Sequence, residues 1–70
     1  MKRDPVKSAT IRSIGYEAET ETLEIEFHRR GTYQYIGVPE FLFRGLMLSD
    51  SKGTFFNTRI ANRYLHREAR

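Results

Sequence analysis

The alternation of apolar and polar residues predicts strands in the first half of the chain. TLEIEFHR, residues 22–29, alternates strictly and places its leucine, isoleucine and phenylalanine on one face of a strand and its two glutamates and histidine on the other. Residues 9–18 are rich in β-branched and aromatic residues, as is TYQYIGV, residues 32–38, so each of these segments also predicts a strand. Together they indicate a three-stranded antiparallel sheet.

The second half has the periodicity of helices. Pro39 suits a first helical position and Glu40 the positive end of the helix dipole, which predicts a helix over 39–48. A second helix is predicted over 52–67, with an apolar stripe formed by Phe56, Ile60 and Tyr64. The predicted fold class is α+β, a three-stranded antiparallel sheet followed by two helices packed on one face (βββαα).

The ends of the chain lack these patterns. Residues 1–7 are polar, contain a proline and show no period, so we expect a flexible N-terminal arm. Residues 8–67 form the single predicted domain, and residues 68–70 a C-terminal tail. A 70-residue chain buries only about 60% of its unfolded surface, which predicts marginal stability.

The loop between the second and third strands decides where Tyr33 and Tyr35 point. A two-residue loop would place both rings on the acidic face of the preceding strand. A three-residue loop, residues 29–31, pairs Phe27 with Tyr33 and places the rings on the apolar face. We favour the second register because only Gly31 then needs the left-handed conformation, and the tyrosines then belong to the core. The alternative is a platform on which RNA bases stack.

Charge is segregated along the chain, although the net charge is only +3. Residues 17–26 are acidic, whereas residues 1–16 and the part beyond residue 50 are basic. Such a distribution favours an oriented encounter with a polyanion.

The candidate nucleic-acid-binding residues are the cations of the second predicted helix: Lys52, Arg59, Arg63 and Arg67. The three arginines recur every four residues, and a guanidinium can donate two hydrogen bonds to one phosphate. The alternative is a solvated helix face whose last cations complement the helix dipole.

Two further motifs have simple structural interpretations. DSKGT, residues 50–54, could hold an anion at a helix N-terminus, but it lacks the full phosphate-loop pattern, so we favour an ordinary helix cap at Ser51. Glu24, Glu26 and His28 share a strand face, which we interpret as exposed and solvated rather than as a metal or acid–base site.

Other function classes have little support in the sequence. The chain has no cysteine and no Gly-x-Ser-x-Gly elbow, so we expect no enzyme, cofactor or structural metal. It has neither a signal-peptide core nor an apolar run of membrane-spanning length, so we expect a cytoplasmic protein without membrane contact.

YQYIGVP and SKGTFFNTRIANRY resemble the lysyl-tRNA synthetase C-terminal, or KTSC, domain family. The family has a Tyr-x-Tyr, a Gly-Val-Pro, and a Ser-x-Gly that leads to an aromatic-Phe-Asn and an isoleucine. The matching positions are Tyr33, Tyr35, Gly37, Val38, Pro39, Ser51, Gly53, Phe55, Phe56, Asn57 and Ile60. Phe55 stands where the family often has tyrosine. The resemblance implies a domain of this size that occurs in free-standing bacterial proteins and on some lysyl-tRNA synthetases, and it suggests RNA binding.

The sequence therefore predicts a noncatalytic RNA-binding module for tRNA or single-stranded RNA that uses the four cations named above. The alternative is a protein–protein interaction module. It would use an uncovered part of FLFRGLML, residues 41–48, because this segment has more apolar residues than one small sheet can cover.

Overall fold

A computed structural model describes residues 1–69 and contains one five-stranded antiparallel sheet and two helices. The elements in chain order are β1 (Asp4–Pro5), β2 (Ile11–Glu17), β3 (Thr22–Phe27), β4 (Gly31–Ile36), α1 (Glu40–Leu48), α2 (Lys52–Arg59) and β5 (Leu65–Ala69). The strands lie in the order β1-β2-β3-β4-β5, each antiparallel to its neighbours. The α+β class is confirmed, but the three-stranded βββαα arrangement is wrong.

The last strand, Leu65–Ala69, lies where the sequence predicts the end of a helix and the first residues of a C-terminal tail. α2 ends at Arg59, and Asn62 takes the left-handed conformation with φ +66°, which stops a right-handed helix. The chain then runs back along β4, so that Leu65 pairs with Ile36 and Arg67 pairs with Gln34. Hydrogen bonds to the edge of β4 thus replace the helical bonds that the apolar periodicity had indicated.

The first strand lies in the segment predicted to be a flexible arm. Asp4 and Pro5 pair with β2, and the backbone N–H of Val6 donates to the carbonyl of Arg12 at 3.0 Å. The Lys2 carbonyl passes so close to Gly15 that a β-carbon there would lie 2.5 Å from its oxygen. Glycine in β2 therefore permits this close approach of the N-terminal backbone.

The register of β3 and β4 differs from the predicted one by two residues. The three-residue loop comprises residues 28–30, so Phe27 pairs with Gly31 rather than with Tyr33. A shift of two keeps each side chain on its predicted face, and Gly31 has the expected positive φ, +87°. Tyr35 is buried in the core and Tyr33 is half-buried against it.

The core lies between one face of the sheet and both helices. The Phe56 ring of α2 meets Phe27 and Tyr35 edge-on, with centroids 5.3 and 5.2 Å apart, and on α1 the Phe43 ring stacks on Tyr16 at 4.8 Å. The buried apolar residues are Ile11, Ile14, Leu23, Ile25, Phe27, Tyr35, Val38, Leu42, Leu46, Phe56 and Ile60. The C-terminal end of α2 is consequently held firmly against the sheet.

Candidate nucleic-acid interface

Arg59 and Arg63 lie together at the C-terminal end of α2. The guanidinium carbon of Arg59 lies 5.5 Å from the ring centroid of Phe55, a distance at which the cation is attracted to the ring face. Arg63 follows the helix, and its Nε donates to the carbonyl of Thr58 at 3.2 Å. This bond satisfies a carbonyl that the helix end leaves unpaired and holds Arg63 beside Arg59.

The two arginines border a groove of about 400 Å³, which we call the arginine groove. Its lining residues are Leu42, Thr58, Arg59, Arg63 and Tyr64. None of them carries a carboxylate, and within residues 1–69 neither guanidinium forms an ion pair. Both exposed guanidinium groups can therefore donate hydrogen bonds to an anion.

A second groove of about 420 Å³ adjoins the first and runs towards β5; we call it the Tyr64 groove. Its lining residues are Asn62, Arg63, Tyr64, Leu65 and His66. Arg63 and Tyr64 line both grooves, so the two form one continuous surface. The centroid of the His66 ring lies 5.3 Å from that of the buried Tyr35, so the β5 side of the groove rests against the core.

Lys52 lies at the opposite end of α2. Its Nζ donates to the carbonyl of Ser49 at 2.8 Å, and it lines a separate groove of about 270 Å³ with Lys7 and the first turn of the helix. An eight-residue helix is about 12 Å long, so Lys52 and Arg59 do not act on one group.

Arg67 belongs to β5 and not to α2, contrary to the predicted helical series. Its Nε donates to Oε1 of Gln34 at 3.0 Å on the face of the sheet opposite the helices, whereas the preceding His66 contacts Tyr35 on the helix side. The structure thus brings Arg59 and Arg63 together and places Lys52 and Arg67 elsewhere.

The face of the sheet opposite the helices, here called the open face, carries a connected set of polar side chains. Gln34 Nε2 donates to Glu24 Oε1 at 2.8 Å, and Arg3 donates to the other oxygen of Glu24 and, at 3.0 Å, to Ser13. Ser13 in turn donates to Glu26 at 2.8 Å. Glu24 is only 6% exposed, so the interpretation of this face as exposed is wrong for Glu24, because the N-terminal segment covers it.

The pKa of Glu24 reflects two opposing influences. Burial alone raises the pKa of its carboxyl group, because the charged form loses hydration. The hydrogen bonds from Gln34 and Arg3, with the positive charge of Arg3, outweigh burial and bring the pKa below its usual value. Glu24 is therefore an ionised structural partner of Arg3.

The other two motifs have local structural roles. His28 lies in the loop after β3, and its Nε2 atom is 2.9 Å from the carbonyl oxygen of Ser8. His28 therefore does not join Glu24 and Glu26 in a cluster. Ser51 is the N-cap residue of α2, although its side chain makes no bond to a helix amide.

α1 leaves part of its apolar surface uncovered. Phe41 is 70% exposed and Leu48 is 85% exposed, whereas Leu42 and Leu46 are buried. Phe41 and Leu48 are seven residues apart and therefore lie on the same side of the helix.

In the part of the chain that the structure describes, neither helix is long and apolar enough to cross a membrane.

The sequence interpretation missed several residues of the two grooves. It places Tyr64 on an apolar helical stripe and gives no role to Asn62 or His66. Asn62 was the available signal, since asparagine often takes the left-handed position that ends a helix. Because α2 ends at Arg59, Tyr64 does not continue the helix of Phe56 and Ile60, although it still packs against the core to which they belong.

The chain is a small α+β domain with two helices inserted before the last strand of an antiparallel sheet. It carries a basic groove at the end of its second helix. The KTSC domain model matches residues 7–64, and the chain belongs to the KTSC domain family. It is similar to a KTSC domain protein from Yersinia pestis whose crystal structure has been solved. The TM-score is 0.97 at 45% identity, and the match covers 99% of this chain and 97% of the other.

Two relatives show the contexts in which similar sequences occur. An uncharacterized protein of Stutzerimonas stutzeri is 40% identical over 57 residues, which are 81% of this chain and 80% of the relative. A lysine–tRNA ligase of Nostoc punctiforme is 34% identical over 58 residues, which are 83% of this chain but 10% of the ligase. Similar sequences thus occur both as small proteins and as a short part of a large enzyme.

Proposed function

We propose that this protein is a noncatalytic RNA-binding module and that its contact surface is the arginine groove. The observation that carries the proposal is the convergence of Arg59, Arg63 and Tyr64 around one groove with no acidic lining residue. Guanidinium groups pair with phosphate oxygens through two parallel hydrogen bonds, and an aromatic ring offers a surface for a base.

The relatives add an independent argument for RNA. The lysine–tRNA ligase of Nostoc punctiforme has a name that denotes an enzyme acting on tRNA, and it contains a segment similar to 83% of this chain. An RNA contact made by the shared segment is consistent with that activity. The proposal extends this contact to the present chain through its own arginines.

Reversing the charges of the arginine groove should weaken RNA binding strongly. In a fluorescence anisotropy titration with labelled tRNA or a single-stranded oligonucleotide, we expect Arg59→Glu/Arg63→Glu to lower affinity at least tenfold, because two phosphate contacts become repulsive. For the native protein, two contacts to a single strand predict a log–log slope of affinity against salt of about −1.4. This is shallower than four cations would give.

A matched control separates the groove from general charge. Arg29→Glu/Arg67→Glu changes the net charge equally, but neither residue lines the arginine groove. This variant should keep most of the affinity, with folding of both variants verified by circular dichroism. Equal losses in the two variants, or unchanged binding by Arg59→Glu/Arg63→Glu, would exclude the arginine groove as the binding surface.

A second candidate, a protein–protein interaction module, is favoured by one observation. The exposed Phe41 and Leu48 form an apolar strip on one side of α1. Arg44, which lies between them in the sequence, forms an ion pair with Glu40 at 2.8 Å. The charges of these two neighbouring side chains therefore cancel. A specific association that persists after nuclease treatment and depends on Phe41 and Leu48 would favour this candidate over RNA.

A further inference from the structure

We infer that the RNA feature bound here is an unpaired nucleotide, with its phosphate at Arg59 and Arg63 and its base in the Tyr64 groove. This inference rests on the proposed RNA-binding function and specifies its substrate class. It follows from the contact of the two grooves at Arg63 and Tyr64, which places a cationic site directly beside an aromatic one.

Tyr64 differs from the other tyrosines in its surroundings. Tyr16 stacks on Phe43, and Tyr33 and Tyr35 meet the rings of Phe27 and Phe56. Within residues 1–69, the Tyr64 ring has no such aromatic partner and is half-buried, with both grooves beside it. A ring held by the protein but still accessible is suited to stack on a base, because every nucleobase presents a flat π-face.

The rest of the Tyr64 groove suits a base in size and chemistry. It is an open surface depression of about 420 Å³, with room for one base. The exposed Asn62 carries an amide with both a donor and an acceptor, the combination that base edges present. Leu65, 80% exposed, adds apolar surface on the β5 side.

The positions of the cations argue against a double helix. Proteins recognise duplex RNA mostly by its shape and by contacts to 2′-hydroxyls and phosphates across the wide minor groove. Here Lys52 lies at the far end of α2, and Arg67 lies on the other face of the sheet. Of the four predicted cations, only Arg59 and Arg63 line the same groove, which suits one or two neighbouring phosphates of one strand.

The test compares the same short RNA oligonucleotide in single-stranded form and annealed to its complement. We expect the native protein to bind the single strand at least tenfold more tightly in an anisotropy titration. A 2-aminopurine placed in the single strand should lose fluorescence on binding, because stacking on Tyr64 quenches it. This second readout uses the native protein and does not depend on a variant that folds.

Variants at the ring and the amide give the local test. Tyr64→Leu should weaken single-strand binding about tenfold, an effect within the usual range for loss of one base stack, whereas Tyr64→Phe should retain it. Asn62→Gly keeps the left-handed backbone accessible and removes only the amide, so we expect a folded protein with about fivefold weaker binding.

The outcomes distinguish this inference from the function on which it rests. Equal affinity for single strand and duplex, with both sensitive to Arg59→Glu/Arg63→Glu, would overturn the unpaired-nucleotide assignment and leave RNA binding intact. Tight single-strand binding without 2-aminopurine quenching, and unaffected by Tyr64→Leu, would equally overturn the base site. Absence of binding to either RNA would overturn the proposed function itself.

Discussion

Replacing Phe56 by alanine should lower the free energy of unfolding by about 3–5 kcal/mol. The Phe56 side chain is 2% exposed and lies between the rings of Phe27 and Tyr35, so its removal leaves a cavity in the centre of the core. A domain of this size has a total stability of roughly 4–10 kcal/mol, so the variant should be close to unfolded. Urea denaturation followed by circular dichroism measures the change.

The exposed phenylalanine of α1 provides the matched control. Phe41 is 70% exposed, so Phe41→Ala should change the free energy of unfolding by no more than about 0.5 kcal/mol. Similar losses in the two variants would contradict the core described here. A stable Phe56→Ala variant would show that α2 does not hold the sheet.

The second large effect is expected at Arg3, in the N-terminal segment. Arg3→Ala should destabilise the protein by about 2–3 kcal/mol at pH 7, because the buried Glu24 carboxylate loses its charged partner. This loss of stability is smaller than the usual cost of breaking a fully buried ion pair, because 31% of the Arg3 side chain is exposed. Arg12→Ala is the control: Arg12 is 56% exposed and lies 3.7 Å from Glu26, so we expect a change of about 0–1 kcal/mol.

The effect of Arg3→Ala should also depend on pH. The pKa of Glu24 is lower in the folded protein than in the unfolded chain, where it is about 4.3. The stabilisation is therefore complete above the unfolded pKa and decreases as pH falls through the folded pKa. The difference in stability between native protein and Arg3→Ala should therefore narrow as pH falls through the lowered folded pKa of Glu24. An unchanged difference at acid pH would mean that Arg3 acts through something other than ionised Glu24.

The sheet face of the tyrosine pair could be predicted from local residues, but its register could not. Strict alternation in β3 and the conformational demand on Gly31 place Tyr33 and Tyr35 on the apolar face. Moving the loop by one residue, from 29–31 to 28–30, shifts the register by two, keeps both rings on the same face and leaves Gly31 at positive φ. The pairing of Phe27 with Gly31 therefore depends on the rest of the fold.

The last strand could not be predicted because the same spacing of apolar residues fits either a continued helix or a helix followed by a strand. Phe56, Ile60 and Tyr64 have helical spacing, yet the helix ends at Arg59 and Leu65–Ala69 completes the sheet. The deciding interaction is tertiary, the pairing with β4. The same error placed Arg67 in the candidate site, whereas Arg59 and Arg63 share a groove because both lie at the helix end.

The burial of Glu24 was also beyond prediction from local pattern. Alternation correctly separates Glu24 from the apolar face of β3, but it does not show that Arg3 crosses that polar face. β1 has two residues and therefore no period to detect. A charged pair far apart in sequence becomes visible only when the fold brings its members together.

The most direct test of RNA binding at the arginine groove is an NMR titration of the native protein with single-stranded RNA at two salt concentrations. We predict that the amide signals of Arg59, Arg63 and Tyr64 shift and that the shifts weaken at the higher salt concentration. Signals of Ser13 and Glu24 on the open face should remain in place. Shifts confined to the open face, or no shifts at either salt concentration, would contradict the account.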